Sequence, residues 1–543
     1  MKKKIFTSIF LFTFFAFLLT ANAFAIEPVT FPIMRIYVPE SPFVHRNTWQ
    51  NGTISIENSP YAMEATTRVR GRGNSTWWDG EGKRPLRFRL DQAQSIMGSE
   101  YIARDWILLA DKFDRSLMRN RSALFLAREM GSMSFVPTFH HLHLYVNGEY
   151  MGVYLLTDER DTSRGRLEID WHEDPRRSGF FLELDGRAPI SGAENETYVI
   201  VNNLPYDLRW PSDERMTPEH VAYVRGFLDV TSFAIREQSF EEILRRIDLD
   251  TFVDFYILQE LYRNKDVYML SVFMHITGES GERRLFMGPV WDFDMAAANS
   301  PTQWMGSGTD GLYVAIFNYW YRHLMQHPEF FDAVASRWNE LYPTAITDTI
   351  AHIRDNAIRY RNEFERNFIR HPYPAPFLRP DFAEINTFMQ QINYLADWLE
   401  NRAAWLNSFF SREFPDYCHM QEFLNFYKYD SPITIEINGV AQEFEIPAIR
   451  LPYTTKIALP ELARILNLQT SQNAINITMW NDDTSIVHRI GTDVFTINGV
   501  RFDATASSVA ILDHIFIPLR VIAEALGYNV DWVEAQQAVT LRR

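Results

Sequence analysis

Cysteine is almost missing from this chain: Cys418 is the only one among 543 residues. No internal disulfide can form, so stability must come from packing, and the surrounding "FPDYCHMQEF" offers one histidine and no other sign of an activated thiol. Positive charge is in short supply too. Lys and Arg number 53 against 69 Asp and Glu, for a formal net charge of −16. A surface that acidic repels phosphate backbones and argues against a nucleic-acid partner. After the first 25 residues no apolar run approaches the roughly 18 residues that span a bilayer. There is no His-Glu-x-x-His, the helical zinc signature of metalloproteases.

What is present starts with "MKKKIFTSIFLFTFFAFLLTANAFA", a basic start, an apolar run and a small-x-small end at Ala23-Phe24-Ala25. It reads as a secretory signal over 1–25, cut after Ala25, and the mature product as exported and soluble. Without the three leader lysines, 50 basic residues face 69 acidic ones. The length suggests two to four domains, and 46% hydrophobic with 15% aromatic content can fill large cores.

Three regions follow. Residues 26 to about 190 alternate short apolar strands with turns around one helical stretch, "SLMRNRSALFLAREMG", stopped by Gly131. "HHLHLYVNGEYMGVYLLTDE" encodes a hairpin turning at Asn147-Gly148. From about 215 to 430 the pattern is mostly helical, with the strand pair "YMLSVFMHI" and "RRLFMGPVWDFD" inside it. The fold class is α+β in two lobes, 26–430, with the interlobe cleft as default ligand site. The third region, 432–543, repeats itself: "IEINGVAQEFEIPAI" returns as "FTINGVRFDATASSV", each copy leading to a short amphipathic helix and a strand. No acid, histidine or nucleophile recurs in both copies, so this small duplicated α/β module reads as binding or support.

Chemistry concentrates in few places. "RVRGRGNSTWW" (68–78) offers glycines, backbone N–H groups and hydroxyls that can wrap phosphate oxygens, or an ordinary hairpin turn. "GKRPLRFRLD" (82–91) puts Arg87 and Arg89 on one strand face and Leu86, Phe88 and Leu90 on the other, with Lys83 just ahead. Asn264 and Asp266 end a long helix that reads as amphipathic, and Asp292 and Asp294 end a strand some 26 residues later. Oxygen ligands of this kind suit Mg²⁺ beside substrate phosphates; Asp266 capping a turn and Asp294 capping a helix at "MAAA" are the structural alternatives. His141 and His143 share a strand face, a zinc-like spacing without an evident third ligand, and read as structural.

Residues 31 to 411 resemble the CotH kinase family. The resemblance rests on "RGRGNSTW", "KRPLRFRLD", "DWILLADKFDRSLMRN", "LYVNGEYMGVYLLTDE", "FFLELD", "FVDFYILQELYRNKD", "GPVWDFD" and "LADWLENRAAWLNSFF", in that order. It implies an atypical protein-kinase-like domain binding ATP and Mg²⁺ between lobes and phosphorylating Ser or Thr of a spore-coat, envelope or secreted protein. By resemblance, Gly71, Arg72, Gly73, Asn74 and Ser75 form the phosphate-covering loop. Lys83 becomes the ATP-phosphate lysine, with Arg84 and Arg87 as alternatives. Asp266 becomes the catalytic carboxylate beside Asn264, and Asp292 and Asp294 the metal ligands. Residues 432–543 resemble the copper-amine-oxidase N-terminal-like stalk domain, with "HIFIPLRVIAEALGYNVDW" as the strongest signature. That implies spacing or attachment at a Gram-positive bacterial envelope, and no copper. The rival reading is a non-catalytic surface or glycan-binding protein on a kinase-like scaffold, with Trp77, Trp78 and Trp210 stacking on sugars.

Overall fold

The computed structural model describes residues 30–543 except 40–44, 74, 79–81, 163–164, 189–196, 203, 280, 300–307, 310, 373–384, 412–432, 451–453, 473–475, 491–493, 505–507, 512–513 and 534–535. The leader 1–25, Asn74 and Cys418 therefore lie outside the described residues. Among the described residues no helix is long and apolar enough to cross a membrane.

Alternation of apolar and polar residues builds seven strands: β1 (Ile33–Tyr37), β2 (Gln50–Glu57), β3 (Met63–Gly71), β4 (Leu86–Gln94), β5 (Ala103–Leu109), β6 (His140–Val146) and β7 (Glu149–Asp158). They close into a barrel of order β1-β2-β3-β4-β5-β7-β6, sealed by the parallel β1–β6 pairing. Ile36, Ile54, Val69, Phe88, Trp106, Leu144 and Tyr154 fill it, which is where the period-2 pattern of "RPLRFRLD" sends Phe88 and Leu90. The sheet-rich half is thus a closed barrel, not the open sheet that a kinase-like lobe suggests. β6 and β7 meet at Asn147 (φ 48°) and Gly148 (φ 83°), the two left-handed positions that a type I′ hairpin requires.

A four-residue helix α1 (Ser75–Trp78) sits between β3 and β4, and α2 (Arg119–Met130) between β5 and β6, ended by Gly131 at φ 79°. Next come β8 (Phe180–Leu184), β9 (Tyr198–Val201), β10 (Leu204–Trp210), α3 (Pro218–Glu237), α4 (Phe240–Leu244), α5 (Leu249–Tyr262), β11 (Val272–Thr277) and β12 (Arg284–Met287). Strands β12-β11-β8-β10-β9 form one antiparallel sheet. By hydrogen bonding, β8 at Phe180–Leu184 already belongs to this second sheet. Helices α6 (Val314–Phe317), α7 (Tyr319–Leu324), α8 (Pro328–Leu341), α9 (Thr347–Arg359), α10 (Arg361–Arg370) and α11 (Phe388–Phe410) complete it. Helix α5 is not amphipathic: twelve of its fourteen residues are buried, because sheet and helices cover it on all sides.

The C-terminal module is a structural duplicate. The Asn438-Gly439 and Asn498-Gly499 pairs both turn tight hairpins with positive φ. Strands Thr455–Ala458 and His514–Pro518 pair with each other, and each feeds a helix, α12 (Leu459–Leu466) and α13 (Leu519–Ala525). The module has its own core around Leu462, Ile477, Ile517 and Ile522. Ile449, Ala458 and Phe516 instead join the main core, so this module rests against the larger body.

Candidate active site

Between barrel and second sheet lies a cleft of about 520 Å³. The barrel side contributes Arg72, Gly73, Thr76 and Pro85 from the β3–β4 connection, Asp111 after β5, Asn120 of α2 and Arg160 after β7. The opposite side supplies Glu183, Asp185, Arg187, Arg209, Lys265, Asp266, Ser271, Trp291, Asp292, Asp294 and Met295.

The two aspartates of "VWDFD" reach this cleft together, as alternate residues of an extended segment do. Strand β12 stops at Met287, Asp292 takes a left-handed backbone, φ 69°, and both carboxylates line the cleft. Phe293 between them is buried in the main core and points away. No helix follows Asp294 among the described residues until α6, so it caps none. Left-handed φ values also occur at Asp111, Ser271, Ala297 and Ala298. Each costs on the order of 1–3 kcal/mol, and such clustering marks functional sites.

Polar tethers hold the strained segment. Asn120 donates to Asp111 Oδ1 at 2.7 Å and accepts from the Phe293 N–H at 2.7 Å. Arg119, fully buried, pairs with Asp114 at 2.6 Å and donates to the Ala296 and Ala297 carbonyls at 3.0 and 3.2 Å. Asn264 donates to the Asp292 carbonyl at 3.3 Å and accepts the Asp266 N–H at 3.2 Å. Asn264 is thus the cap of a 3-10 turn over Lys265–Tyr268, almost wholly buried, and does not line the cleft. Ser271 donates to Asp292 Oδ2 at 3.0 Å.

Crowding of acids sets the electrostatics. Burial, then Asp292, pushes the Asp266 carboxyl up to about 6. Burial, then Asp114, pushes Asp111 up to about 7. Burial, then Asp292 and Asp111, holds Asp294 well above the carboxylate range. Among the described residues no hydrogen-bond donor reaches the Asp266 or Asp294 carboxylate. Facing them, Arg160 lies over the rings of Trp291 at 4.2 Å and Phe273 at 4.8 Å. Burial, then Arg160, brings the Arg72 guanidinium down to about 10, still cationic at neutral pH. Arg187 pairs with Asp185 at 2.9 Å, and Arg209 with Asp207 at 2.8 Å.

Several sequence expectations are relocated. Lys83 is buried behind the cleft, donating to the Val153 carbonyl and lying 4.7 Å from the Tyr154 ring centre. Burial brings its ammonium down to about 7 in spite of Asp111 and Asp114. Arg87 points outward to Asp105 (2.9 Å) and Glu159 (3.1 Å). Neither lines the cleft. Gly71 is small for another reason: a Cβ there would meet the Trp77 ring at 2.1 Å. That leaves Arg72 and Gly73 as the described cleft-lining part of the loop. Trp77 is buried and not available to stack on a sugar. His141 bonds the Leu117 carbonyl at 2.9 Å and His143 bonds Glu363 at 2.6 Å, the structural roles expected of them. The cleft also gathers Asp111, Asn120, Arg160, Asp185 and Arg187, which no local sequence pattern marks as site residues. Asp111, Asn120 and Asp185 lie inside motifs quoted above, and only chain folding shows that they converge.

The CotH kinase protein family model matches residues 68–406, more than half of the chain. The chain belongs to this family. The copper amine oxidase N-terminal domain model matches residues 436–541. No curated protein matches the chain. On the CotH portion, the matched span includes every residue of the cleft and leaves out β1 and β2 of the barrel.

Would a divalent cation suit this floor? Raised carboxylates with no donor in reach are groups that a cation would relieve. Among the described residues no three His, Cys, Asp or Glu side chains form a metal cage by themselves. Mg²⁺ does not demand one, since it commonly takes one or two carboxylates plus substrate phosphates and water. The donor set fits.

A pH dependence follows. Asp266 and Asp111 have folded-state values above an unfolded value near 3.8. Their contribution favours the fold below about pH 4 and is lost as pH rises to about 7. In EDTA, Asp111→Asn should therefore match wild type in thermal midpoint near pH 4.5 and exceed it at pH 8. Equal midpoints at both pH values would refute the assigned charge strain.

Proposed function

We propose that this chain is an exported CotH-type kinase that transfers the γ-phosphate of ATP to Ser or Thr of an envelope, spore-coat or secreted protein. The observation that carries the reading is one cleft with unneutralised carboxylates on its floor and arginines across from them. Phosphoryl transfer needs little beyond positioning and charge stabilisation, which is what that arrangement offers. Asp292 and Asp294 would hold Mg²⁺, which would supply charge neutralisation for the nucleotide phosphates. Arg72 and Arg160 would hold phosphate oxygens, taking the place first given to Lys83. Asp266 accepts the proton of the acceptor hydroxyl as its oxygen bonds to the γ-phosphorus and the bond to the β-phosphate oxygen breaks, releasing ADP. A carboxylate titrating near 6 is better matched to that proton than an ordinary one. The C-terminal module would space or attach the enzyme at the envelope.

Calorimetry on the full chain tests this. Mg²⁺ and ATP together should bind, and affinity should weaken as pH falls from 8 to 6, because protons compete with the cation for the acidic floor. No heat from Mg²⁺ and ATP at pH 8 would overturn the kinase reading.

A further inference from the structure

The outer face of the barrel carries a charge pattern that the cleft does not use. On β3 and β4 the inward residues Val69, Phe88 and Leu90 are buried in the barrel, so Arg68, Arg70, Arg87 and Arg89 face outward. The antiparallel register sets Arg68 directly opposite Arg89, and Arg70 directly opposite Arg87. Like charges placed opposite each other across a sheet destabilise it. All four guanidiniums gather around one indole, Trp49, at 5.0 to 5.8 Å.

Only part of this charge is matched. Asp105 serves both Arg87 and Arg89 at 2.9 Å, and Glu159 adds one contact to Arg87 at 3.1 Å. Among the described residues no carboxylate pairs with Arg68 or Arg70. Arg70 donates to the Arg46 carbonyl at 3.3 Å, while its Nε is buried with no acceptor. Arg72, two residues further along, lines the cleft. Alternate residues of a strand are about 6.6–6.8 Å apart, so the row 68–70–72 runs about 13 Å into the site. A general need for solubility does not explain unmatched positive charge in a chain of net charge −16.

We infer that this arginine ladder is the docking strip for an extended, acidic segment of the phosphoacceptor polypeptide, leading its hydroxyl past Arg72 into the cleft. The word acceptor rests on the kinase reading above; the docking itself does not. An extended peptide repeats with the same spacing as the strand, so acidic side chains at alternate positions meet successive arginine pairs. Anions of this kind would also relieve the cross-strand repulsion, and their attraction would be screened by salt.

The test uses the full chain and a fluorescent peptide with Glu at alternate positions and a terminal Ser, beside its Lys counterpart. Fluorescence anisotropy should show binding of the Glu peptide alone, weakening from 50 to 300 mM NaCl. Arg68→Gln/Arg70→Gln should weaken it at least tenfold and flatten the salt dependence, with thermal stability equal or higher and Mg²⁺–ATP binding unchanged. Undiminished peptide binding by that double variant overturns the inference. So does binding of poly(glycerol phosphate) with none of the peptide. Ladder-dependent peptide binding without nucleotide uptake would keep the docking strip and remove the kinase reading; nucleotide uptake without peptide binding does the reverse.

Discussion

Asp292→Ala should abolish ATP-dependent labelling of an acceptor, by about a thousandfold or more, while the protein stays folded. The reason is a charge balance. A triphosphate brings several negative charges to a floor already holding Asp111, Asp266, Asp292 and Asp294. Only a cation bound there makes their approach favourable, and Asp292 is central, since its charge is felt by Asp266, Asp294 and Asp111. Each decade of rate is about 1.4 kcal/mol, so the loss amounts to roughly 4 kcal/mol of barrier. Asp266→Asn should cut transfer by about a hundred- to ten-thousandfold through loss of the proton acceptor, yet retain nucleotide. The two variants therefore separate in calorimetry: Asp292→Ala loses the Mg²⁺ dependence of ATP binding and Asp266→Asn keeps it. Stability should move the other way, because removing a crowded, half-buried charge relieves the fold. Labelling by both variants at the wild-type rate would disprove the roles given to them.

The second large effect belongs to Arg119. Its guanidinium is fully buried, holds Asp114 at 2.6 Å and binds the carbonyls of Ala296 and Ala297. Arg119→Met strands a buried carboxylate and frees two carbonyls, a loss of about 3–5 kcal/mol. Urea unfolding should show a midpoint shifted strongly downward. Asp114 also accepts from the backbone N–H of Ser116 and of Arg119, so Asp114→Asn keeps acceptor capacity without the charge. The double change should regain a good part of the loss, the sign of coupling between neighbours. Because Arg119 also fixes the segment after Asp294, nucleotide affinity should fall in the single variant even under conditions where it is folded. An unchanged urea midpoint for Arg119→Met would show that the pair contributes little.

Much of the architecture was legible because local rules were obeyed. Asn147-Gly148, Asn438-Gly439 and Asn498-Gly499 turn hairpins, since asparagine and glycine tolerate the left-handed backbone that such turns need. Leu86, Phe88 and Leu90 go inward where the strand period sends them. Helix α5 defeated that reasoning: "DTFVDFYILQEL" looks one-sided, yet neighbours from distant parts of the chain surround it. Barrel closure was equally hidden, because the β1–β6 seam joins strands about a hundred residues apart.

At the site, the residue types were set by sequence: acids at 266, 292 and 294, glycines and arginine at 71–73, and family membership through motifs in a fixed order. Their partners were not. Alternation along an extended segment puts Asp292 and Asp294 on one side, but only the packing of that segment against the barrel makes this side the cleft floor. Lys83 looked like a phosphate ligand, but its ammonium is spent on a carbonyl behind the cleft, and Arg72 and Arg160 face the cleft instead. Asp111 and Arg119 drew no attention as single letters. Sequence pattern reports the spacing of side chains along one strand or helix, whereas desolvation and Coulomb repulsion depend on distances between segments far apart in the chain. That is why the chemistry available was written in the sequence, and which groups carry it was decided only when the barrel met the second sheet.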